Sequence, residues 1–388
     1  MQHKLPSEYT ATDSVKLPTG TINADTTKGR TLPSIADFAS RYNDKRHFLI
    51  ASKLIGKYIP ARPCEIEKAQ RELSEQLFPI DHKHFFMGFS ESCSGFGQGV
   101  FEEAIKQHPR LKGQSGYLHT TRQFKNSKEP ISIAFKEEHS HAVDQVVMTP
   151  KSKEMRDVYY NAKTIVLVED EITTGKTIEN FLEMYIGGVN NKIVRVVILS
   201  ILDIRSQSDK IRLITRFPNI QIITHSLCDA NVNFYKESEN DMFLPKNTNP
   251  QKDISICARG GRLGVTEAED SQNIIDACHL IYKELGKNHS ITIVGTSEFT
   301  HWPRLVASQL EQDGIDVNML STTRAPLKVG NSIKSKLAFD DHYGDGIEHY
   351  LYNIDLTRML VFVYENKEQM NMHKELLKSL NALAICME

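Results

Sequence analysis

Residues 164–177 read Thr164-Ile165-Val166-Leu167-Val168-Glu169-Asp170-Glu171-Ile172-Thr173-Thr174-Gly175-Lys176-Thr177. The apolar run, rich in β-branched residues, predicts a buried strand that ends in acids. A small, hydroxyl-rich loop then opens a helix expected over Lys176–Tyr185. In open α/β sheets ligands sit beyond the carboxyl ends of the strands. The unsatisfied N–H groups of a helix N-terminus attract anions. Two adjacent carboxylates therefore stand beside an anion cradle.

The ending Gly175-Lys176-Thr177 imitates an ATP-type phosphate loop. That pattern needs glycine five residues before Gly175, where this chain has Asp170. A carboxylate there repels the phosphates such a loop must hold. The ATP-type loop is excluded.

On either side of this stretch the chain alternates strand and helix. Strands are expected at His47–Ser52, His84–Phe89, Ser115–His119, Lys163–Val168 and Lys192–Leu202. A helical pattern begins near Leu32, and further helices fit Glu65–Leu77 and Gly97–Gln107. A second run has helices at Ser271–Leu285 and Pro303–Gln312, with strands at Ser290–Gly295, Asp316–Ser321 and Arg358–Tyr364. Such alternation predicts an α/β fold with a mostly parallel sheet flanked by helices, plus a second, smaller α/β domain. The expected division is an extended arm at 1–31, a first domain at 32–228, a linker at 229–249 and a second domain at 250–388.

At 388 residues, with 40% hydrophobic and 25% charged residues, the chain is long enough for two ordinary domains. Its 47 basic residues are balanced by 49 acidic ones, and no basic arm points to a nucleic-acid partner. Six cysteines without CxxC spacing argue against a zinc ribbon and a secreted disulfide scaffold. No signal peptide or membrane span is legible, so the expectation is a reduced, cytoplasmic protein.

The two halves echo each other. Gly88-Phe89-Ser90-Glu91 and Thr120-Thr121-Arg122 in the first match Gly295-Thr296-Ser297-Glu298 and Thr322-Thr323-Arg324 in the second. Shared ligand geometry and a generic βαβ unit with small residues in its turns both account for the echo.

Other stretches carry candidate chemistry. The loop Gly88–Gly95, with Ser90, Glu91 and Ser92, offers small residues and N–H groups after a strand. Residues 122–141 form a polar connection bearing Arg122, Lys136, His139 and His141. A metal site on His139, His141 and Glu137 or Glu138 is a poor fit, because no third ligand of the usual kind is in sight. Lys53 and Lys57 flank a short strand. In the second half the Arg/Gly turns with Arg259 and Arg262, and Thr322-Thr323-Arg324, suit phosphate or carboxylate recognition, since arginine forks bind such groups; Glu298 and Arg324 are candidates for a separate pocket.

The stretch Glu169–Thr177 resembles the phosphoribosyl diphosphate (PRPP) motif of type I phosphoribosyltransferases, orotate-type enzymes in particular. It departs at Lys176, where glycine is frequent. The resemblance implies a type I phosphoribosyltransferase fold with a small N-terminal hood. In its terms Glu169 and Asp170 hold the ribose hydroxyls and, directly or through water, Mg2+. Thr173, Thr174, Gly175, Lys176 and Thr177 cradle the 5-phosphate. Ser90, Glu91, Ser92, Lys53 and Arg122 attend the diphosphate, and Lys136 and His139 belong to a catalytic flexible loop. More narrowly, residues 20–370 resemble phosphoribosyltransferases with a C-terminal TRSP domain, encoded with tellurite-resistance and stress-response clusters in bacteria. That likeness rests on Lys53/Lys57, 88–99, 120–122, 138–141, Glu169–Thr177 and 322–326. The tetrad that names the domain reads Thr323-Arg324-Ala325-Pro326 here, with alanine in the serine position.

The function these features imply is transfer of a phosphoribosyl group from PRPP to a base-like acceptor, releasing diphosphate, toward a nucleoside-like metabolite. The alternative is a PRPP-sensing protein without turnover. Related enzymes are commonly dimers, so a homodimer is the assembly implied.

Overall fold

The computed structural model describes residues 13–42, 46–78, 81–124, 129–135, 145–237, 261–269, 271–286 and 289–387. The described chain opens with an antiparallel pair, β1 (Asp13–Leu17) and β2 (Gly20–Gly29). One turn of helix, α1 (Leu32–Ile35), leads into the hairpin of β3 (Ala36–Ser40) and β4 (Phe48–Ser52). The helical pattern expected from Leu32 thus stops after one turn. Phe38 and Ala39 pair instead with Ile50 and Leu49, and their burial in that hairpin overrides local propensity.

Helix α2 (Pro63–Ser74) starts on a proline, whose missing N–H costs nothing at the first position, and it buries Ile66, Ala69 and Leu73. There follow β5 (His84–Gly88), α3 (Cys93–Gln107) and β6 (Ser115–His119). A separate hairpin, β7 (Ile131–Phe135) and β8 (Gln145–Met148), comes next. Then come α4 (Lys153–Asn161), β9 (Thr164–Ile172), α5 (Lys176–Gly188), β10 (Arg195–Asp203), α6 (Gln207–Arg216) and β11 (Gln221–Lys236).

The main sheet has the order β1-β2-β11-β10-β9-β5-β6. Its five strands from β11 to β6 are parallel, so both faces need helical cover. Phe86, Val166, Val168, Val197 and Leu199 pack with α2 and α3 on one face. Their chain neighbours Phe85, Ile165, Leu167, Val196 and Ile198 pack with α4, α5 and α6 on the other.

Two expected boundaries change. Residues 13–29 are no arm: β2 pairs along its length with β11, and β1 extends the same sheet. Residues 229–236 lie in β11, inside the stretch expected as linker. Ala230 is buried while Asn231, Asn233 and Tyr235 face solvent, a half-polar alternation that composition alone reads as loop.

The second half begins, within the described residues, at 261. It comprises α7 (Ser271–Leu285), β12 (Ile291–Gly295), α8 (His301–Gln312) and β13 (Val317–Ser321). Then come the hairpin β14 (Lys336–Phe339) and β15 (His349–Tyr352), β16 (Met359–Tyr364), α9 (Lys367–Met372), α10 (Lys374–Ser379) and β17 (Leu383–Cys386). A parallel sheet of order β13-β12-β16-β17 forms its centre.

The halves share a core. Met319 of β13 packs in the first half's cluster and bridges to Ala61. The β3–β4 hairpin, with Tyr58, packs against Leu327, Ile333, Tyr350 and Tyr352. The expected hood is therefore closed from outside by the second half. Among the described residues no helix is long and apolar enough to cross a membrane.

Candidate functional site

Strand β9 lies between β5 and β10, its residues Thr164–Val168 fully buried. Burial loosens toward the carboxyl end of the strand, where Glu169, Asp170 and Glu171 are each partly buried. Glu171 is taken by Arg46, whose two terminal nitrogens reach its oxygens at 2.5 and 3.3 Å. Asp170 is felt by Lys57, whose pKa stays above the ordinary lysine value. Burial pulls it down, but the charges of Tyr58, Glu91 and Asp170 outweigh that. Beneath the acids, burial and the charges of Asp170 and Glu169 hold the Cys93 thiol protonated.

The chain then turns through Thr173 and Thr174 to Gly175, the N-cap of α5, at φ +77°. A β-carbon there is strained by the left-handed backbone and would stand 3.3 Å from Arg205 Cδ. Arg212 Nη2 donates to the Thr174 carbonyl at 2.7 Å, and the Lys176 N–H reaches Thr174 Oγ1 at 3.3 Å. Arg205 is fixed by a buried pair with Asp203 at 2.8 Å. Arg212 thus holds the loop at Thr174, Arg205 packs beside Gly175, and the loop's N–H groups open the helix.

The loop after β5 stands alongside. The Ser90 N–H donates to Thr120 Oγ1 at 2.8 Å, and Gln145 Nε2 donates to the Ser90 carbonyl at 3.1 Å. Glu91 is spent locally: Lys57 Nζ lies 3.0 Å away, Thr323 Oγ1 2.8 Å and Ser297 Oγ 3.2 Å. Burial alone would raise its pKa, but Lys57, Arg324 and the Thr323 bond hold the carboxyl well below its usual range. Lys57 Nζ also donates to Ser92 Oγ at 3.2 Å. Lys53 does not reach this loop, because it is bonded to the Pro33 carbonyl at 2.8 Å and Asp37 at 3.0 Å. Lys57 occupies the place expected for it.

The second-half candidates converge on the seam. Glu298 accepts from Thr121 Oγ1 at 2.6 Å and from the Arg122 N–H at 2.7 Å. Arg262 holds Glu365 through two nitrogens at 2.9 and 3.1 Å and reaches Glu298 at 3.4 Å. Arg324 bonds Asp345 at 3.1 Å. A narrow cleft at the seam is lined by His119, Arg262, Glu298 and Glu365, away from the Thr173–Thr177 loop. Lys136, His139 and Arg259 lie outside the described residues.

The comparisons can be set beside this geometry. The sequence model of a phosphoribosyl transferase family matches residues 35–231, half of the chain, and contains the acid pair and both loops. The chain belongs to that family. A model of the TRSP domain, which lies C-terminal to this transferase domain, matches residues 259–380. Among solved structures, the adenine phosphoribosyl transferase of Trypanosoma brucei is 13% identical, with a TM-score of 0.34 over 51% of this chain and 78% of that one. The adenine phosphoribosyltransferase of Leishmania donovani is 17% identical, with a TM-score of 0.33 over 50% and 77%. The orotate phosphoribosyltransferase of Aeropyrum pernix is 15% identical, with a TM-score of 0.27 over 47% and 79%. A comparison with curated proteins gives no match. Membership rests on the family match.

Nothing local in the sequence of this phosphoribosyltransferase marks Arg46, Arg205 or Arg212, and Thr323 is marked by the echo but not as a partner of Glu91. Each reaches the site from a distant stretch. As for Mg2+, Glu169 and Asp170 supply oxygen donors of the kind it prefers. Among the described residues no group of three or more candidate ligands forms a protein cage.

Proposed function

We propose that the protein transfers a 5-phosphoribosyl group from PRPP to a base-like small molecule. The bond from C1′ to diphosphate breaks with its electron pair leaving on the diphosphate. A lone pair of the acceptor then forms the new bond to C1′. The observation that carries this is the delivery of Glu169 and Asp170 by β9 directly before a glycine-opened helix N-terminus. Carboxylates beside C1′ stabilise the positive charge that develops on the ribose ring. The N–H groups and hydroxyls of Thr173–Thr177 would take the 5-phosphate.

Mg2+, held by Glu169 and Asp170, would neutralise charge on the departing diphosphate. Ser90, Ser92 and Lys57 would receive that group, with Lys136 and His139 brought in from the connection between β7 and β8. The hood, closed by the second half, would enclose the acceptor. A small-molecule acceptor, a nucleoside-like product and a cytoplasmic setting linked to tellurite stress complete the proposal.

The test is diphosphate release from PRPP and Mg2+ with a panel of free bases and a small-molecule cell extract. Acceptor-dependent release is expected. PRPP binding with no release across the whole panel would overturn transfer in favour of a PRPP sensor.

A further inference from the structure

The two halves repeat one set of bonds. The order β6-β5-β9-β10 is matched by β13-β12-β16-β17, all parallel. The Thr120 N–H donates to the Gly88 carbonyl at 3.0 Å, and the Thr322 N–H to that of Gly295 at 2.9 Å. The Ser90 N–H meets Thr120 Oγ1 at 2.8 Å, and the Ser297 N–H meets Thr322 Oγ1 at 2.9 Å. Thr121 bridges to Val146 at the end of one hairpin, and Thr323 to Tyr350 at the end of the other. Across the seam the bonds are reciprocal: Glu91 takes Thr323, and Glu298 takes Thr121. The second half is a second copy of the unit, facing the first by its strand ends.

In this copy the donor chemistry is gone. Gly88 aligns with Val168 as Gly295 aligns with Val363, so Glu365 stands where Asp170 does. Arg262 and the Tyr343 hydroxyl occupy Glu365. No Thr-Thr-Gly loop follows; Asn366 caps α9 instead, accepting from the Gln369 N–H at 2.9 Å.

Other groups fill the space. Arg324 stands where Arg122 does, and residues 340–348 join β14 to β15 as 136–144 join β7 to β8. The Asp341 carboxylate pins this second loop by accepting the N–H groups of Tyr343, Asp345, Gly346 and Ile347 at 2.7–3.1 Å. His342 and His349 are 0% exposed, with ring centroids 5.6 Å apart. Buried and unbonded in the protein are both nitrogens of His342, Nε2 of His349, and Nε and Nη1 of Arg324. An unmet buried polar group costs about 1–3 kcal/mol, and these groups are neighbours, since the Arg324 charge acts on both rings. A cation is repelled by Arg324. Arg324 has one carboxylate bonded to it, Asp345, 14% exposed on the second loop.

We propose that the second half carries a separate pocket for a small oxyanion, a phosphate or carboxylate group, held by Arg324, His342 and His349 in place of Asp345. The incoming anion exchanges for the Asp345 carboxylate, so the buried charge stays balanced. His342 supplies a ring N–H, and His349, whose Nδ1 faces the Ile347 carbonyl at 3.2 Å, donates through Nε2 after taking up a proton together with the anion.

The test is histidine-ring NMR of the full chain during titration with inorganic phosphate and, separately, malonate. The two rings are assigned among the 15 histidines by His342→Gln and His349→Gln. Both rings are expected to shift saturably. Arg324→Gln should weaken the response at least tenfold, and Asp345→Asn should strengthen it severalfold. Response to phosphate alone assigns a phosphate ligand, and response to malonate alone a carboxylate ligand. Phosphate held at Thr173–Thr177 does not count, because the readout sits on these rings. Rings that stay still in both titrations overturn the proposal and leave ordered water as the occupant. So does an Asp345→Asn chain, with Arg324 intact, that binds no more tightly than wild type.

Discussion

Lys57 and Glu91 meet at 3.0 Å with side chains about one-tenth exposed, and each is ionised because the other is. Removing one partner strands the other charge in the interior, which costs about 3–5 kcal/mol. Lys57→Met is expected to lower unfolding free energy by that order in a denaturant titration; a loss under 1 kcal/mol would mean that water reaches the pair. Glu102 gives a sign for pH. Burial alone would raise its pKa, but the His301 bond at 2.8 Å and Arg304 pull it down to about 2 from 4.5. A depressed carboxylate stabilises the fold above its unfolded pKa and loses that contribution as pH falls toward the folded one. Stability is therefore expected to drop between pH 4.5 and 2, and Glu102→Gln should flatten that drop. An equally steep fall in the variant would assign it to other carboxylates.

Among the elements, the turn from β9 into α5 is the one most exposed to a single change. Gly175→Ala forces a β-carbon into the left-handed region at a cost of about 1–2 kcal/mol, and it disturbs the cradle before Lys176. Thermal melting should register the loss, with weaker ribose 5-phosphate binding; a variant matching wild type in both would release the loop from its role. This element was legible in the sequence because its signals are local: an apolar run, then acids, then Thr-Thr-Gly. The antiparallel edge was not. Strands β1, β2 and the end of β11 carry Thr, Asn and Lys on their open face, and only their pairing turns that polarity into a sheet. Likewise β3 hid within a helical pattern until Phe38 and Ala39 found β4.

For the whole molecule, the consequence is one folding unit from two halves. Met319 packs in the first core, the hood is walled by Tyr350 and Tyr352, and Glu298 holds Thr121 and Arg122. Calorimetry is expected to show one cooperative transition, with Glu298→Ala lowering its midpoint; two separated transitions would mean that the halves fold independently. The sequence echo between Glu91 and Glu298 was visible, but not that each glutamate serves the opposite half, since spacing along a chain carries no information about what lies across a seam. The same holds for Arg205 and Arg212, which approach the donor loop from the connection after β10 and from α6. At the centre stands one claim, that the acids of β9 bind the ribosyl donor. Titrating PRPP with Mg2+ into the full chain by calorimetry tests it directly. Saturable binding to the wild type and at least a hundredfold weaker binding to Asp170→Asn is the expected result; equal affinity in the two proteins would contradict it.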